Sequence, residues 1–293
     1  MILYFSGTGN SQYVAVKIAE IIGDGQVFSI NRAVKSGEKT VIRSEGPLVF
    51  VAPTYSWRLP RVVERWILET DFQGNQDAWF ILTCGGSCGN AATYAKKLCA
   101  GKNMRYRGLA PVVMPENYVA MFATPDEAKC RAIIEEAEPS IAGLGERIRA
   151  GRDFDGQRVS LGGRLESGPV NPLFYALFVN DRGFTVLDRC VSCGKCARRC
   201  PLNNIEMADG KPVWKGKCTH LWPVSGAVPR QPSNTSPNPG GGTATISWMI
   251  PYAGTTEVRR NEKQTSDQNQ PGNVHRLWTL PEGLSGGQYP DQG

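Results

Sequence analysis

Histidine is almost missing from this chain: there are 2, His220 and His275, and neither falls in the first 150 residues. Nothing in that part can therefore act as a histidine general base, and no Ser-His or Cys-His nucleophile pair can form there. That weighs against hydrolytic chemistry and in favour of electron transfer. Long apolar runs are also lacking; none approaches the length of a membrane span. Blocks of five or six like charges do not occur, and the net charge of +6 is mild, so nucleic acid is not implied. A weakly basic surface suits acidic redox partner proteins, or is simply a solvated surface. The opening "MILYFSGTGNS" has no basic leader region and no cleavage site, so no signal peptide is expected. The expected location is cytoplasmic, where cysteines rarely form structural disulfides.

Cysteine, by contrast, is abundant and clustered. Of 9 in the chain, five fall between Cys190 and Cys218, which points to metal ligation.

Residues 1–150 alternate strand and helix patterns. The apolar runs "ILYF", "QVFSI", "PLVFVAP", "AWFILT" and "GLAPVVM" predict five buried strands. Helical periodicity fills "SQYVAVKIAEII", "PRVVERWILE" and "NAATYAKKLCA", and a longer stretch begins at Asp126. Pro139 inside that last stretch predicts a kink or break. Such alternation gives an α/β domain with a doubly wound parallel sheet, and five strands fit the order 2-1-3-4-5. Residues 151–185 are expected to be a connector carrying an aromatic patch, "PLFYALFVNDRGF", that packs at a domain junction. Residues 186–220 form the cysteine segment. Residues 221–293 hold no Cys and nine of the 20 Pro, and read as a disordered, low-complexity tail.

The loop "YFSGTGNS" places Ser6, Thr8, Asn10 and Ser11 between the first strand and the first helix, with Gly7 and Gly9 to turn the backbone. Helix N-termini favour anions. No Lys is present, so this is not a triphosphate loop, and no G-x-G-x-x-G is present for a dinucleotide. A monophosphate held by neutral donors fits; a capped Gly/Ser turn is the alternative. "APTYSWRLP" follows the third of these strands and offers Thr54, Tyr55, Ser56 and Trp57, two of them aromatic rings able to stack on a flat ligand. "TCGGSCGNA" follows the fourth, with Cys84, Gly85 and Gly86, the glycines permitting close backbone approach. Cys84 and Cys88 read either as small buried residues or as a redox or metal pair. All three loops leave carboxyl ends of parallel strands, where open α/β sheets bind ligands.

On these loops, residues 1–150 resemble the flavodoxin-like family, and the resemblance implies FMN. "MPENYVAMF", residues 114–122, is similar to a segment of flavodoxin–ferredoxin fusion proteins, which adds Asn117 and Tyr118; an ordinary loop after a strand is the alternative.

Cys190, Cys193, Cys196 and Cys200 lie at C-x2-C-x2-C-x3-C, with Pro201 next. Thiolates suit iron–sulfur or zinc, and this spacing with its proline is the bacterial ferredoxin run. In two-cluster ferredoxins the fourth cysteine of each run serves the other cluster. "NNIEMADGKPVWKGKCTH" leads to Cys218, where a second run should start and does not. The chain up to His220 resembles fused flavodoxin and 2[4Fe–4S] ferredoxin proteins of anaerobic bacteria. The resemblance implies two clusters in the intended protein. This chain supplies five of the eight ligands, enough for at most one cluster, with Cys218 as the candidate fourth ligand beside Cys190, Cys193 and Cys196. Synonymous codons exist for which the sequence from Leu221 onward, shifted by one base, restores C-x2-C-x2-C-x3-C-P. The tail therefore reads as a frameshift, with a genuine divergent tail as the alternative. The function expected is electron transfer between FMN and 4Fe–4S clusters. An FMN-dependent NAD(P)H or quinone oxidoreductase and a zinc-binding interaction module are the alternatives.

Overall fold

The structure, a computed structural model, describes residues 1–118, 125–156, 159–181, 184, 186 and 190–219. The frameshift and tail readings, at 221–293, lie outside the described residues, as do residues 119–122 of "MPENYVAMF".

The five apolar runs become the central sheet. In chain order the elements begin with β1 (Ile2–Tyr4), α1 (Asn10–Ile22), β2 (Val27–Ser29), α2 (Ile30–Ser36), β3 (Val41–Ser44) and β4 (Leu48–Pro53). Then come α3 (Arg61–Glu69), β5 (Asp71–Gly74), β6 (Asp77–Cys84), α4 (Ala91–Gly101), β7 (Arg105–Val113) and α5 (Glu127–Arg149). The sheet order is β2-β1-β4-β6-β7, and every pairing in it is parallel. Counting only these five strands, that is the flavodoxin-like order 2-1-3-4-5. The chain runs outward from β1 to β2 and then returns to place β4 on β1's other side, which makes β1/β4 the switch point. The registers Tyr4↔Val51, Pro53↔Thr83 and Cys84↔Val113 bring the carboxyl ends of four strands to one edge.

The period-2 alternation of each strand sorts its side chains to two faces. Leu3, Phe50, Phe80 and Leu82 join one core with Val63 and Ile67 of α3 and Ala95 and Cys99 of α4. Ile2, Val49, Val51 and Ile81 join the other with Val14 and Ile18 of α1 and Ile134 and Ile141 of α5. Both faces are covered, which is why the strands read as unbroken apolar runs. Phe50 and Phe80 are fully buried and stack with centroids 4.9 Å apart; burial of each such ring contributes about 2–3 kcal/mol.

Several details differ from the sequence reading. α5 runs unbroken through Pro139. Its neighbour Glu138 accepts from the Tyr13 hydroxyl and pairs with Lys17 at 3.5 Å, so contacts with α1 hold the turn that the proline weakens. β3 and β5 form a separate two-stranded parallel ribbon that the apolar pattern did not announce, since β5 is largely exposed. Residues 151–156 pack on the sheet rather than leaving it: Trp79 Nε1 donates to Arg152 O at 3.2 Å and Phe154 N to Arg107 O at 2.9 Å. The expected connector then folds into α6 (Leu161–Leu165), a segment kinked at Gly168 (Glu166–Val170) and α7 (Asn171–Phe178). The cysteine segment contributes α8 (Lys195–Arg199) and an antiparallel hairpin, β8 (Ile205–Ala208) and β9 (Lys211–Trp214). Among the described residues, no helix is long and apolar enough to cross a membrane.

Candidate functional site

The first loop is fixed by side chains at both ends. Asn31, from α2, accepts from Ser6 N at 2.9 Å and donates to Ser6 O at 3.0 Å. Ser6 Oγ accepts from Gly9 N at 3.1 Å, so the loop folds over itself. Gly9 caps α1 at φ 114, a left-handed value that the missing Cβ permits. Ser11 and Thr83 share a buried hydroxyl hydrogen bond of 2.8 Å, tying α1 to the end of β6. Asn10 Nδ2 donates to Pro115 O at 2.9 Å, and Thr8 Oγ1 accepts from Asn117 Nδ2. The segment after β7, weakly marked in the sequence, is thus joined to the first loop at two points. Glu116 completes it: its Oε1 accepts from Asn117 N and Tyr118 N at 2.9 and 2.8 Å.

Residues 55–58 make a two-residue hairpin turn. Tyr55 N donates to Arg58 O at 2.9 Å and Arg58 N to Tyr55 O at 3.2 Å. Both central residues are left-handed, Ser56 at φ 47 and Trp57 at φ 59. That is the type I′ signature, usually given to Asn-Gly. Ser and Trp there cost about 1–3 kcal/mol each, a strain characteristic of binding sites. Burial, and after it Tyr175, Cys218 and Tyr118, push the Tyr55 phenol far up, so it stays a neutral hydroxyl.

In the loop after β6 the two glycines differ. A Cβ on Gly85 would lie 2.3 Å from Glu116 Oε2, so a side chain there would displace that carboxylate. A Cβ on Gly86 would meet nothing within 4 Å; its surroundings are open. Cys84 and Cys88 are both buried. Burial first, then Cys88 and Glu116, push the Cys84 thiol up to about 11, which leaves it protonated at neutral pH. A cavity of about 320 Å³ adjoins the loop, lined by Gly86, Ser87, Cys88 and Gly89 with Pro111 and Ser160. A larger one of about 620 Å³ lies among Gly23–Gln26 and Arg43–Gly46, at the opposite end of β1, away from these loops.

Three buried side-chain atoms of the loops at 6–11 and 53–58 have no hydrogen-bond partner among the described residues: Asn10 Oδ1, Thr54 Oγ1 and Ser56 Oγ. Buried polar groups are normally paired, and each orphan costs about 1–3 kcal/mol. Sequence reasoning singled out all three, but it missed Asn31, Glu116, Ser167 and Asn171. The last two come from the presumed connector: Ser167 Oγ donates to Trp57 O at 2.8 Å and accepts from Asn90 N at 2.7 Å, while Asn171 Nδ2 donates to Ser56 O at 2.8 Å. The aromatic patch also reaches this edge, with the Phe174 ring 6.3 Å from Tyr118 and 5.4 Å from Phe178.

The cysteine segment is ordered around Asn204 and Lys35. Asn204 N donates to Cys200 Sγ at 3.3 Å, and Asn204 Oδ1 accepts from Lys217 N at 2.6 Å. Cys196, Cys200 and Ile205 share a small apolar core; Cys193 is exposed, and Cys190 and Cys218 are partly so. Among the described residues, no group of three or more His, Cys, Asp or Glu side chains is gathered closely enough to hold a metal ion. The five expected ligands therefore form no single-ion site among the described residues.

No protein-family model matches the chain, and no curated protein matches it. Solved structures do match. An azoreductase from Bacillus anthracis is 10% identical, with 50% of this chain and 98% of that chain covered, at a TM-score of 0.32. An NAD(P)H:quinone oxidoreductase from Methanothermobacter marburgensis is 11% identical over 54% of this chain and 97% of its own, at 0.30. A flavodoxin from the domain Archaea is 12% identical over 50% and 97%, at 0.28. The fold assignment itself rests on the strand order of this chain.

Proposed function

We propose that the loops at residues 6–11, 53–58, 84–89 and 114–118 bind FMN, and that the chain is a cytoplasmic electron carrier serving redox partner proteins. The observation that carries this reading is the trio of unpartnered buried atoms on Asn10, Thr54 and Ser56, all beside the β1/β4 switch point. Bound there, FMN would supply one- and two-electron chemistry. Ser6, Thr8, Gly9, Asn10 and Ser11 would hold its phosphate by hydroxyl and N–H donors at the start of α1. The donors are neutral, which suits a monophosphate. Thr54, Tyr55, Ser56 and Trp57 would face the ring with Cys84, Gly85 and Gly86, and Asn117 and Tyr118 would close the site.

Titrating the purified full chain into FMN tests this. Stoichiometric quenching of flavin fluorescence is expected, with about tenfold weaker binding for Thr54→Val and for Ser56→Ala. Fluorescence unchanged by excess protein overturns it. Steady turnover of NAD(P)H with a quinone by the loaded chain would replace the carrier reading with that of an oxidoreductase.

The cluster part of the reading is supported by the spacing of Cys190, Cys193, Cys196 and Cys200 and the position of Cys218 alone. They form no single-ion site among the described residues, and no electron step runs through them here. Iron and acid-labile sulfide after anaerobic reconstitution, compared with a Cys190→Ser control, decides whether one [4Fe–4S] cluster can be held; zinc without sulfide would favour the interaction-module reading. The frameshift reading is supported by the recovered ligand run. A gene in which no single-base edit near codon 221 restores that run removes it.

A further inference from the structure

The turn at 55–58 is strained, yet it is not held by its own loop alone. Ser167 and Asn171 are 0% and 1% exposed, although both are polar. Their bonds run to backbone atoms more than 70 positions away: Ser167 to Trp57 O and Asn90 N, Asn171 to Ser56 O. Ser167 thus bridges the turn and the loop after β6 through one hydroxyl. The packing is equally close. A Cβ on Gly89 would stand 2.6 Å from Ser167 Oγ and 2.9 Å from Trp57 Cβ, and one on Gly163 would stand 3.5 Å from the Gly89 backbone. Three segments meet at Gly89, where a Cβ would collide; at Gly163 it would only touch its neighbours. Nearby, the Arg61 guanidinium lies 3.9 Å from the Tyr175 ring centroid, attaching α7 to the start of α3. Asn171 Oδ1, buried and without a partner among the described residues, leaves an acceptor on this wall.

We propose that Leu161–Phe178 is a third wall of the flavin site, with Ser167 and Asn171 as positioning residues that set the turn at 55–58 against the loop after β6. The inference rests on the flavin reading for what the wall serves, but its geometry can be tested without flavin. Ser167→Ala removes the bridge. Asn171→Asp keeps the side chain's shape and removes the donor. Leu173→Ser, on the exposed side of α7, is the control.

Amide hydrogen exchange on the flavin-free full chain should rise about tenfold at residues 54–59 in both variants, rise at 88–91 in Ser167→Ala, and stay unchanged in the control. FMN binding should weaken about tenfold in both variants. In the parent chain, added FMN should slow exchange in 161–178 as well as in the loops. This last arm needs no variant and survives a folding failure. A parent chain that never binds FMN removes the flavin reading, and the exchange arm still decides the wall. Unchanged exchange at 54–59 in both variants, or bound FMN that leaves 161–178 unaffected, overturns the proposal.

Discussion

Gly108 shows how one missing methyl group can decide local structure. Its φ is +123, and a Cβ there would lie 2.6 Å from Phe154 Cβ and 3.0 Å from Phe154 N. Gly108→Ala combines a strained backbone with a collision against chain that cannot swing aside, and a loss of about 2–4 kcal/mol in urea unfolding is expected. The buried thiols give a pH signature. Burial pushes Cys99 up to about 12, and burial with Cys88 and Glu116 pushes Cys84 up to about 11, from an ordinary 9.0. The folded state keeps protons that the unfolded chain releases, so this stability is whole below about pH 9 and is lost as pH rises through 11 and 12. The urea midpoint should drop between neutral pH and about pH 10.5, and less steeply in Cys99→Ala. Residues of this kind differ in how far the sequence reveals them. Asn10, Thr54 and Ser56 sit in loops whose position after a strand marks them. Ser167, in "LESGP", looks like any turn residue, because its partners lie 77 and 110 positions away.

At the scale of elements, local chemistry and tertiary contact compete most openly in α5. Asp126 caps it, accepting from Lys129 N at 2.8 Å. Asp126→Ala should cost about 1 kcal/mol. Pro139, which suggested a break, is carried by the contacts of Glu138 with Tyr13 and Lys17. Pro139→Ala should therefore stabilise, by roughly 1–3 kcal/mol in thermal or urea unfolding, since the helix would gain a backbone donor without losing those contacts. The five sheet strands were legible because both of their faces are buried and their apolar runs are continuous. β5 was not, being exposed, and β8–β9 has little burial of its own. Its Asp209-Gly210 turn, at φ 47 and 74, did carry a readable hairpin signal.

For the molecule as a whole, the sheet and the cysteine segment are joined by a compact polar clamp. Lys35 Nζ, at the end of α2, donates to Ala197 O, Cys200 O and Asn203 Oδ1 at 3.2, 2.9 and 3.0 Å, and Asn203 Nδ2 returns a bond to Lys35 O at 2.8 Å. Leu202 packs on the main core beside it. Lys35→Met should raise amide exchange across 195–204 about tenfold while leaving the sheet strands protected; equal exchange would show that Leu202 alone holds the segment. None of this was legible in the sequence, because a lysine near a helix end reads as surface charge until the loop it serves is folded.

The bond from Ser167 to Trp57 also bears on how this chain could be taken apart. A cut after residue 150, natural by composition, would separate the turn at 55–58 from the hydroxyl that holds it. The smallest piece that could be moved to another protein with this loop edge intact therefore ends after Phe178. For grafting or recombination, the transferable module is defined by a hydrogen bond and not by the end of the sheet.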